Sequence, residues 1–209
     1  MSGDILERII FRPARRDESR AIARLFSVAS DGVADYVWTK SMKPGEDMVD
    51  AGERRYSDES SLFSYRNCTV AESDGKIAGM MVAFPMDRPY DPATNRETDP
   101  VLLPYSKLEQ HGSYYISGMA LFPEHRGMGI GTKFLEIAEE KAAECNLPKI
   151  SLIVFEENEG ALKLYKRHGF YEIMREPVVP HPLIKYSGMA LLMVKDVTPG
   201  RGTFPSSPS

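Results

Sequence analysis

Hydrophobic residues run together or alternate with polar ones over seven short stretches, a pattern that predicts β-strands. These stretches are Ile9 to Phe11, Thr69 to Glu72, Lys76 to Phe84, Ser113 to Phe122, Lys149 to Phe155, Phe170 to Arg175 and Met189 to Lys195. Ser73-Asp74-Gly75 separates the second from the third and favours a hairpin. The fifth is almost continuously apolar and rich in β-branched residues, which is typical of a strand buried on both faces.

Apolar residues at helical spacing predict helices between these strands. One follows Asp17, which we expect to cap it. A longer amphipathic helix is predicted from Thr132 to Cys145, with Cys145 on its buried face. A third begins at Asn158 as its N-cap, and Gly169 suits the left-handed residue that ends many helices.

The remaining segments divide the chain into one domain, residues 1–196, and a tail. Residues 31–65 mix aromatic and charged residues around Pro44-Gly45, which predicts two short helices. Residues 85–111 are rich in proline and turn residues, which indicates a long binding loop or lid. Residues 197–209 consist mainly of Gly, Pro, Ser and Thr and are predicted to be disordered.

The composition is ordinary for a soluble globular protein and argues against several classes of partner. Of 209 residues, 42% are hydrophobic and 27% charged, and the formal net charge is −4. No basic run supports a nucleic-acid surface, and no apolar run is long enough to span a bilayer. The two cysteines and four scattered histidines lack the spacing of a disulfide framework or a zinc site. We therefore expect a cytoplasmic protein without nucleic-acid, membrane or metal partners.

A glycine-rich turn, Arg126-Gly127-Met128-Gly129-Ile130-Gly131, lies between a predicted strand and a predicted helix. The first amides of a helix have no partner within it, and the helix dipole adds positive charge there. Glycines also let the backbone approach a bulky diphosphate. The turn therefore predicts an anion cradle, although a strand-to-helix turn without a ligand has the same spacing. It matches neither the dinucleotide fingerprint nor a P-loop, so neither NAD nor ATP is the expected ligand.

Two motifs, in the right order, resemble those of the GCN5-related N-acetyltransferases, the GNAT superfamily. Met119 to Gly131 resembles the family's Arg/Gln-x-x-Gly-x-Gly/Ala motif, and Asn158-x-x-Ala161-x-x-Leu164-Tyr165-x-x-x-Gly169-Phe170 resembles its Asn–helix–Tyr–Gly-Phe element. The resemblance is clear from Tyr115 to Phe170 and looser before it. It implies a single α/β domain of the α+β type. Its sheet would be mixed and mostly antiparallel, with splayed central parallel strands, one of them bulged, flanked by helices.

The resemblance also implies the ligand and the residues that bind it. Members of the family hold the CoA pyrophosphate on the amides of the glycine turn, and the cofactor arm runs between the splayed strands. The positions implied to bind acetyl-CoA here are Met119, Ala120, Leu121, Arg126, Gly127, Met128, Gly129, Ile130, Gly131, Thr132, Asn158 and Tyr165. A plain N-cap role for Asn158 and a bracing role for Arg126 stay open as alternatives. Residues 31–65 and 85–111 are where members differ, so these segments are expected to border the substrate.

Tyr165 matches the family's usual general acid, which protonates the departing CoA thiolate. A phenol stays protonated at neutral pH and can therefore give its proton to sulfur. Without the motif, Tyr165 would be interpreted as a packing residue of an amphipathic helix.

No residue is identified as the base that takes the proton of the amine. In the resembling ribosomal-protein N-terminal acetyltransferases a glutamate stands on the strand before the Asn, where this chain has Ile153. Glu156, Glu157 and His111 are candidates, and deprotonation through water is the alternative.

Several aromatic and polar side chains have two interpretations. By strand alternation, Tyr115 and Ser117 share a face with Met119, where they would hold a water molecule, touch the substrate or line the core. Trp38 and Tyr36 are interpreted as core residues, with a place in the acceptor pocket as the alternative.

The resemblance implies an acyltransferase that moves an acetyl group from acetyl-CoA to a primary amine by direct attack in a ternary complex. The expected acceptor is a small molecule, and relatives are often homodimers. Two alternatives stay open, namely a non-catalytic acyl-CoA-binding regulatory module and a protein-modifying acetyltransferase. The sequence does not specify the acceptor or the acyl chain length.

Overall fold

A computed structural model describes residues 8–87 and 97–197. Its strands are β1 (Ile9–Pro13), β2 (Cys68–Ser73), β3 (Lys76–Met86), β4 (Ser113–Leu121), β5 (Lys149–Phe155), β6 (Tyr171–Pro177) and β7 (Met189–Asp196). Its α-helices are α1 (Ser19–Ala29), α2 (Val33–Thr39), α3 (Met48–Ser57), α4 (Leu103–Lys107), α5 (Ile130–Glu144) and α6 (Glu159–Arg167). The predicted disordered tail lies outside the described residues, apart from its first residue. None of the described helices is long and apolar enough to cross a membrane.

The strands form one sheet in the order β1-β2-β3-β4-β5-β7-β6. Every neighbouring pair is antiparallel except β4 and β5, which are parallel. Asp74 and Gly75 form the tight turn between β2 and β3, and both have positive φ, as a type I′ hairpin turn requires. The predicted fold class, a mixed and mostly antiparallel sheet flanked by helices, is confirmed.

The two central strands separate after a short paired region. Tyr114 to Ile116 of β4 pair with Ile150 to Leu152 of β5, and no pairing between the two strands continues beyond these residues in the described part of the chain. The remaining residues of β4 still pair with β3, and the end of β5 still pairs with β7. The predicted splay is therefore present, and it leaves a gap in the middle of the sheet.

The helices cover the sheet from both sides. On one face α5 and α6 contribute buried residues to a core that includes the β4 residues Tyr114 and Ile116. On the other face α1, α2 and α3 pack through side chains that include Ile22, Phe26 and Trp38. Burial of these apolar side chains is the main stabilising contribution to such a layered domain.

The start of α1 differs from the prediction that Asp17 caps it. Asp17 lies in a 3₁₀ turn, and α1 begins at Ser19. The Glu18 carboxylate accepts hydrogen bonds from the Arg12 side chain, at 2.6 and 2.9 Å, and from the Arg15 backbone amide, at 2.7 Å. Because this network fixes Glu18 ahead of the helix, the capping function that Asp17 was expected to have is absent.

Other local predictions are partly right. Residues 31–65 contain the two expected short helices, α2 and α3, and the loop predicted at residues 85–111 contains the short helix α4. Residues 88–96 of that loop lie outside the described residues. The prediction that Cys145 is buried is wrong, because α5 ends at Glu144 and Cys145 is exposed beyond its last turn.

Candidate active site

A cavity of about 1010 Å³ lies where β4 and β5 separate. Its walls come from the unpaired end of β4, the end of β5, the starts of α5 and α6, and the helices α1 and α2. It therefore joins the face of the sheet covered by α5 and α6 to the face covered by α1 to α3. Its size is that of a site for small molecules.

The glycine turn forms one end of this cavity. Gly127 and Gly129 have φ values of +76° and +83°, which favour glycine because a Cβ atom would crowd the backbone. In the first backbone hydrogen bond of α5, the Lys133 amide donates to the Gly129 carbonyl at 3.1 Å. For the amides of residues 127–132, the described part of the chain provides no acceptor. These free amides at a helix N-terminus suit a phosphate group.

The unpaired end of β4 offers main-chain groups to the same cavity. The amide of Phe122 donates to the Ala78 carbonyl of β3 at 3.0 Å, and the strands are antiparallel. Hydrogen-bonding direction alternates along a strand, so Ala120 also bonds towards β3, whereas Met119 and Leu121 direct their main-chain groups towards the gap. An extended ligand arm in the gap would find the partners of an additional strand.

A bulge in β4 changes which side chains share a face. The register with β3 shifts between Val82 and Ala83, so Ser117 is an extra residue in β4. Met119 consequently packs with the core under α5 and α6, whereas Tyr115 packs with the core under α1 to α3. The prediction that Tyr115 and Ser117 share the face of Met119 is wrong, because strict alternation does not continue through a bulge.

Asn158 connects two parts of the site. Its side-chain oxygen accepts from the Ala161 amide at 3.3 Å, so it caps α6. Its side-chain amide donates to the carboxylate of Asp31 at 3.1 Å. The N-cap interpretation is therefore right, and the same side chain also lines the cavity.

Tyr165 lies in the core under α5 and α6 and lines the cavity. It is 8% exposed, and no hydrogen bond from its hydroxyl is found within the described residues. Burial raises the pKa of Tyr165 to about 12, and the charge of Asp31 contributes to the rise. The phenol is therefore protonated throughout the neutral range and has a proton to give.

The residues predicted to bind the cofactor largely come together. Eleven of the twelve line this one cavity, the exception being Met128, whose side chain packs against the core.

The residues predicted as candidates for the general base lie outside this cavity. Glu157 accepts from the backbone of Gly188 at 2.9 Å, Glu156 accepts from that of Met189 at 2.9 Å, and neither lines the cavity. His111 is also absent from the cavity lining.

The other end of the cavity is mainly aromatic and aliphatic. Trp38 is 1% exposed, so it is a core residue, and it also lines this end. Tyr36 does not line it, because its hydroxyl donates to Asp99 at 2.9 Å. Tyr56 and Tyr105 also line this end, and each has a buried hydroxyl without a hydrogen-bond partner among the described residues.

Three carboxylates in the described part of the chain line the cavity without being among the predicted site residues, namely Asp31, Glu97 and Glu109. Of these, Asp31 is the one bonded to Asn158. It precedes Gly32 between α1 and α2, and its side chain is 11% exposed. Nothing in the sequence indicates a functional role for Asp31, because Asp-Gly is a common turn dipeptide.

Comparison with known proteins supplies the family context. Residues 34–170 match the model of the acetyltransferase (GNAT) family. The chain is similar to an N-acetyltransferase from Staphylococcus aureus Mu50, at 26% identity and a TM-score of 0.62, over 88% of this chain and 99% of the other. The ribosomal-protein-S18-alanine N-acetyltransferase from Escherichia coli shares the fold, with 12% identity, a TM-score of 0.56, and coverage of 96% and 99%.

A chain of the NatC complex, whose structure contains a Gag peptide and CoA, also shares the fold. Its identity is 20%, its TM-score 0.54, and the coverage is 91% of this chain and 99% of that one.

Proposed function

The chain belongs to the GNAT family of acetyltransferases, and on that premise we propose that it transfers an acetyl group from acetyl-CoA to the primary amine of a small molecule. Tyr165 is the general acid in this proposal. The observation that carries it is the single cavity to which both sequence motifs contribute. Free amides of the glycine turn, unpaired main-chain groups of β4, Asn158 and Tyr165 all line that cavity.

The residues fit acetyl-CoA as a substrate. The pyrophosphate suits the amides of residues 127–132, since they are unpaired within the described residues and lie at the positive end of the α5 dipole. The pantetheine amides suit the main chain of Met119 and Leu121 in the gap between the strands. This arrangement would bring the thioester close to Tyr165.

The reaction then needs little more than correct placement of two substrates. The amine nitrogen attacks the thioester carbonyl carbon, and the tetrahedral intermediate collapses with departure of the CoA sulfur. Holding both reactants in attack geometry supplies much of the rate. Protonation of the sulfur by Tyr165 supplies a further part.

A small-molecule acceptor is favoured by the walls of the aromatic end of the cavity. Trp38 and Tyr56 are almost completely buried there, and α1 to α3 surround that end. A folded protein would need an open groove instead. The cytoplasm and a homodimer, both expected from the sequence, stay predictions.

Replacement of Tyr165 by phenylalanine tests the catalytic part of the proposal. Purified protein is assayed for CoA thiol release with acetyl-CoA and each of five amines, namely 2-phenylethylamine, tryptamine, spermidine, glycine and lysine. We expect turnover of at least one amine, and kcat about a hundredfold lower in Y165F, because the general acid is lost. Y165F should still bind acetyl-CoA, since the glycine turn and the β4 residues that are proposed to hold it are unchanged.

The matched control is Tyr171→Phe, which removes a hydroxyl that donates to Asp196 at 2.8 Å and does not line the cavity. Y171F should retain wild-type kcat. Acetyl-CoA binding without thiol release for any amine would favour a non-catalytic acyl-CoA-binding module. Release only with peptides that carry a free N-terminus or a lysine would favour a protein-modifying enzyme.

A further inference from the structure

The turn that carries Asp31 has an unusual backbone. Asp31 has a φ of +48°, and the next residue, Gly32, has a φ of +96°. A Cβ atom at Gly32 would overlap the carbonyl oxygen of Leu183, and the Lys185 amide donates to the Asp31 carbonyl at 2.9 Å. The segment around Leu183 therefore holds the turn in a conformation that most residues disfavour. Such strain is concentrated at functional sites.

This conformation brings the Asp31 carboxylate into the cavity wall. One oxygen accepts from Asn158 at 3.1 Å, and the other lies 3.5 Å from the Lys185 ammonium. Asp31 is also close enough to Tyr165 for its charge to raise the pKa of that phenol. The carboxylate thus contacts one residue of the acetyl-CoA motifs, Asn158, and its charge acts on a second, Tyr165, although it belongs to neither motif.

Asp31 and Tyr165 approach the cavity from opposite faces of the sheet. Asp31 follows α1, which covers the face shared with α2 and α3, whereas Tyr165 belongs to the core under α5 and α6. The CoA pyrophosphate is proposed to lie at the glycine turn on the second of these faces, and the pantetheine arm in the gap between β4 and β5. An amine that enters from the aromatic end of the cavity would meet Asp31 before it meets the thioester.

The charges that face Asp31 leave it suited to accept a proton. Within the described residues, Lys185 and Tyr165 are the titratable groups that interact with it, and Lys185 is 63% exposed, so water screens much of its charge. Burial raises the pKa of the Asp31 carboxyl, and Lys185 and Asn158 only partly oppose the rise. A carboxylate with a raised pKa is a stronger base than an exposed one, as general-base catalysis requires.

We propose that Asp31 is a catalytic residue whose carboxylate binds the ammonium group of the acceptor and takes its proton. This assignment rests on the proposed function and names the group that binds the amine. It fits an acceptor that carries a positive charge at its reacting end and a mainly apolar body.

Asp31 and Tyr165 carry out the proton transfers of the reaction. Asp31 takes one proton from the ammonium, and the nitrogen lone pair forms the C–N bond as the carbonyl π electrons move to oxygen. When the carbonyl re-forms, the C–S bond breaks, its electron pair stays on sulfur, and Tyr165 protonates the sulfur. The substrate nitrogen then gives a second proton to the Tyr165 phenolate, which becomes a phenol again, and Asp31 releases its proton to water. An ammonium and acetyl-CoA thus become an amide, the CoA thiol and one proton.

Asp31→Asn separates a chemical role from a structural one. Asparagine is among the few residues that tolerate positive φ, and its side-chain oxygen still accepts from Asn158. The fold and the acetyl-CoA affinity of D31N should therefore equal those of the wild type. The variant cannot take up a proton, so kcat/KM at pH 7 should fall about a hundredfold.

The pH profile gives the decisive readout, measured with the fastest amine of the five. Wild-type kcat/KM should fall as the pH drops through the pKa of Asp31, since the carboxylate must be ionised, and stay level from there to the pKa of the amine. D31N can use only free amine, so its kcat/KM should rise about tenfold per pH unit up to the pKa of the amine.

Two further variants act as controls. Lys185→Met removes the positive charge that lowers the pKa of Asp31. The decrease of kcat/KM at low pH should therefore occur at higher pH in K185M than in the wild type. The same substitution added to D31N should cause no such shift. Asp35→Asn changes a carboxylate four residues after Asp31 that accepts from Ser27 at 2.8 Å and does not line the cavity. This variant should change neither kcat/KM nor its pH profile.

A level pH profile in D31N overturns the assignment, whether its kcat/KM is unchanged or is lowered equally at every pH, because either result leaves Asp31 with a positional role only. The absence of thiol release by the wild type with every amine is a different result. It overturns the proposed function, and the role of Asp31 with it.

Discussion

Single residues in this protein make contacts that their sequence neighbours do not reveal. Asn158 is recognisable from its motif as the start of a helix, and its bond to Ala161 fits that interpretation. Its second bond reaches Asp31, which lies 127 residues earlier. The Asp31-Gly32 pair is indistinguishable from an ordinary turn until the structure brings its carboxylate into the cavity. Residue identity therefore predicted the cap, but it did not predict the partner.

Substitution of Gly127 by alanine tests the proposed cradle at this scale. Alanine at a φ of +76° should cost about 1–2 kcal/mol of unfolding free energy. Because the strain falls on the turn that is proposed to hold the pyrophosphate, the dissociation constant for acetyl-CoA should rise about tenfold. Urea unfolding and isothermal titration calorimetry measure the two quantities.

Gly45→Ala is the matched control for that variant. Gly45 has a φ of +86°, and a Cβ atom there would meet no atom within 4 Å beyond its own residue and its two chain neighbours, as at Gly127. It lies outside the cavity lining. G45A should lose similar stability and keep wild-type affinity, so equal weakening of acetyl-CoA binding in both variants would contradict the cradle.

At the scale of elements, the bulge in β4 and the separation of β4 from β5 create the site. The bulge places Ser117 outside the alternation and turns Met119 and Leu121 to the face under α5 and α6. Periodicity predicted the strand correctly but assigned the faces of Tyr115 and Met119 wrongly. One inserted residue leaves the hydrophobic pattern of a strand almost unchanged, so the sequence carries little sign of it.

Gly118→Ala should destabilise the contact between β4 and α1. A Cβ atom there would lie 2.7 Å from the Phe26 ring and 3.2 Å from Ala29, so α1 would have to move. We expect a loss of about 1–3 kcal/mol in unfolding free energy, as for other overpacked cores. Chemical denaturation measures it.

Gly160→Ala makes the same chemical change in the first turn of α6, where a Cβ atom would meet nothing within 4 Å. It should be neutral or stabilising by up to about 1 kcal/mol, because alanine restricts the unfolded chain. A stable G118A protein with a destabilised G160A protein would refute this account of the packing between β4 and α1.

At the scale of the whole molecule, the cavity is a property of both halves of the chain. The glycine turn and Tyr165 come from the half that resembles the family most clearly, whereas Trp38, Tyr56 and Asp31 come from the half in which the resemblance is looser. The sheet joins the two, since its gap connects the faces on which these groups lie. This division explains why the sequence motifs predicted acetyl-CoA as the donor but did not predict Asp31, which we propose to bind the acceptor.

Saturation with acetyl-CoA should stabilise the entire domain. A ligand at a hundred times its dissociation constant adds about 2.7 kcal/mol if it binds only the folded state. For a domain of this size that corresponds to a rise in Tm of about 5–10 °C. Differential scanning fluorimetry measures the shift, with ATP as the control, because it offers phosphates without a pantetheine arm. Equal shifts with both ligands would contradict binding of the arm between β4 and β5.

The sequence by itself determined the strands and principal helices, the class of sheet, the glycine turn and the order of the two motifs. These features depend on neighbouring residues, through hydrophobic periodicity, turn chemistry and the unpaired amides at a helix start. A bulge in one central strand was implied by the family resemblance, but only the tertiary structure decided its position at Ser117, the exposure of Cys145 and the contact of Asp31 with Asn158. These depend on how distant segments pack against one another, which no local pattern in the chain encodes.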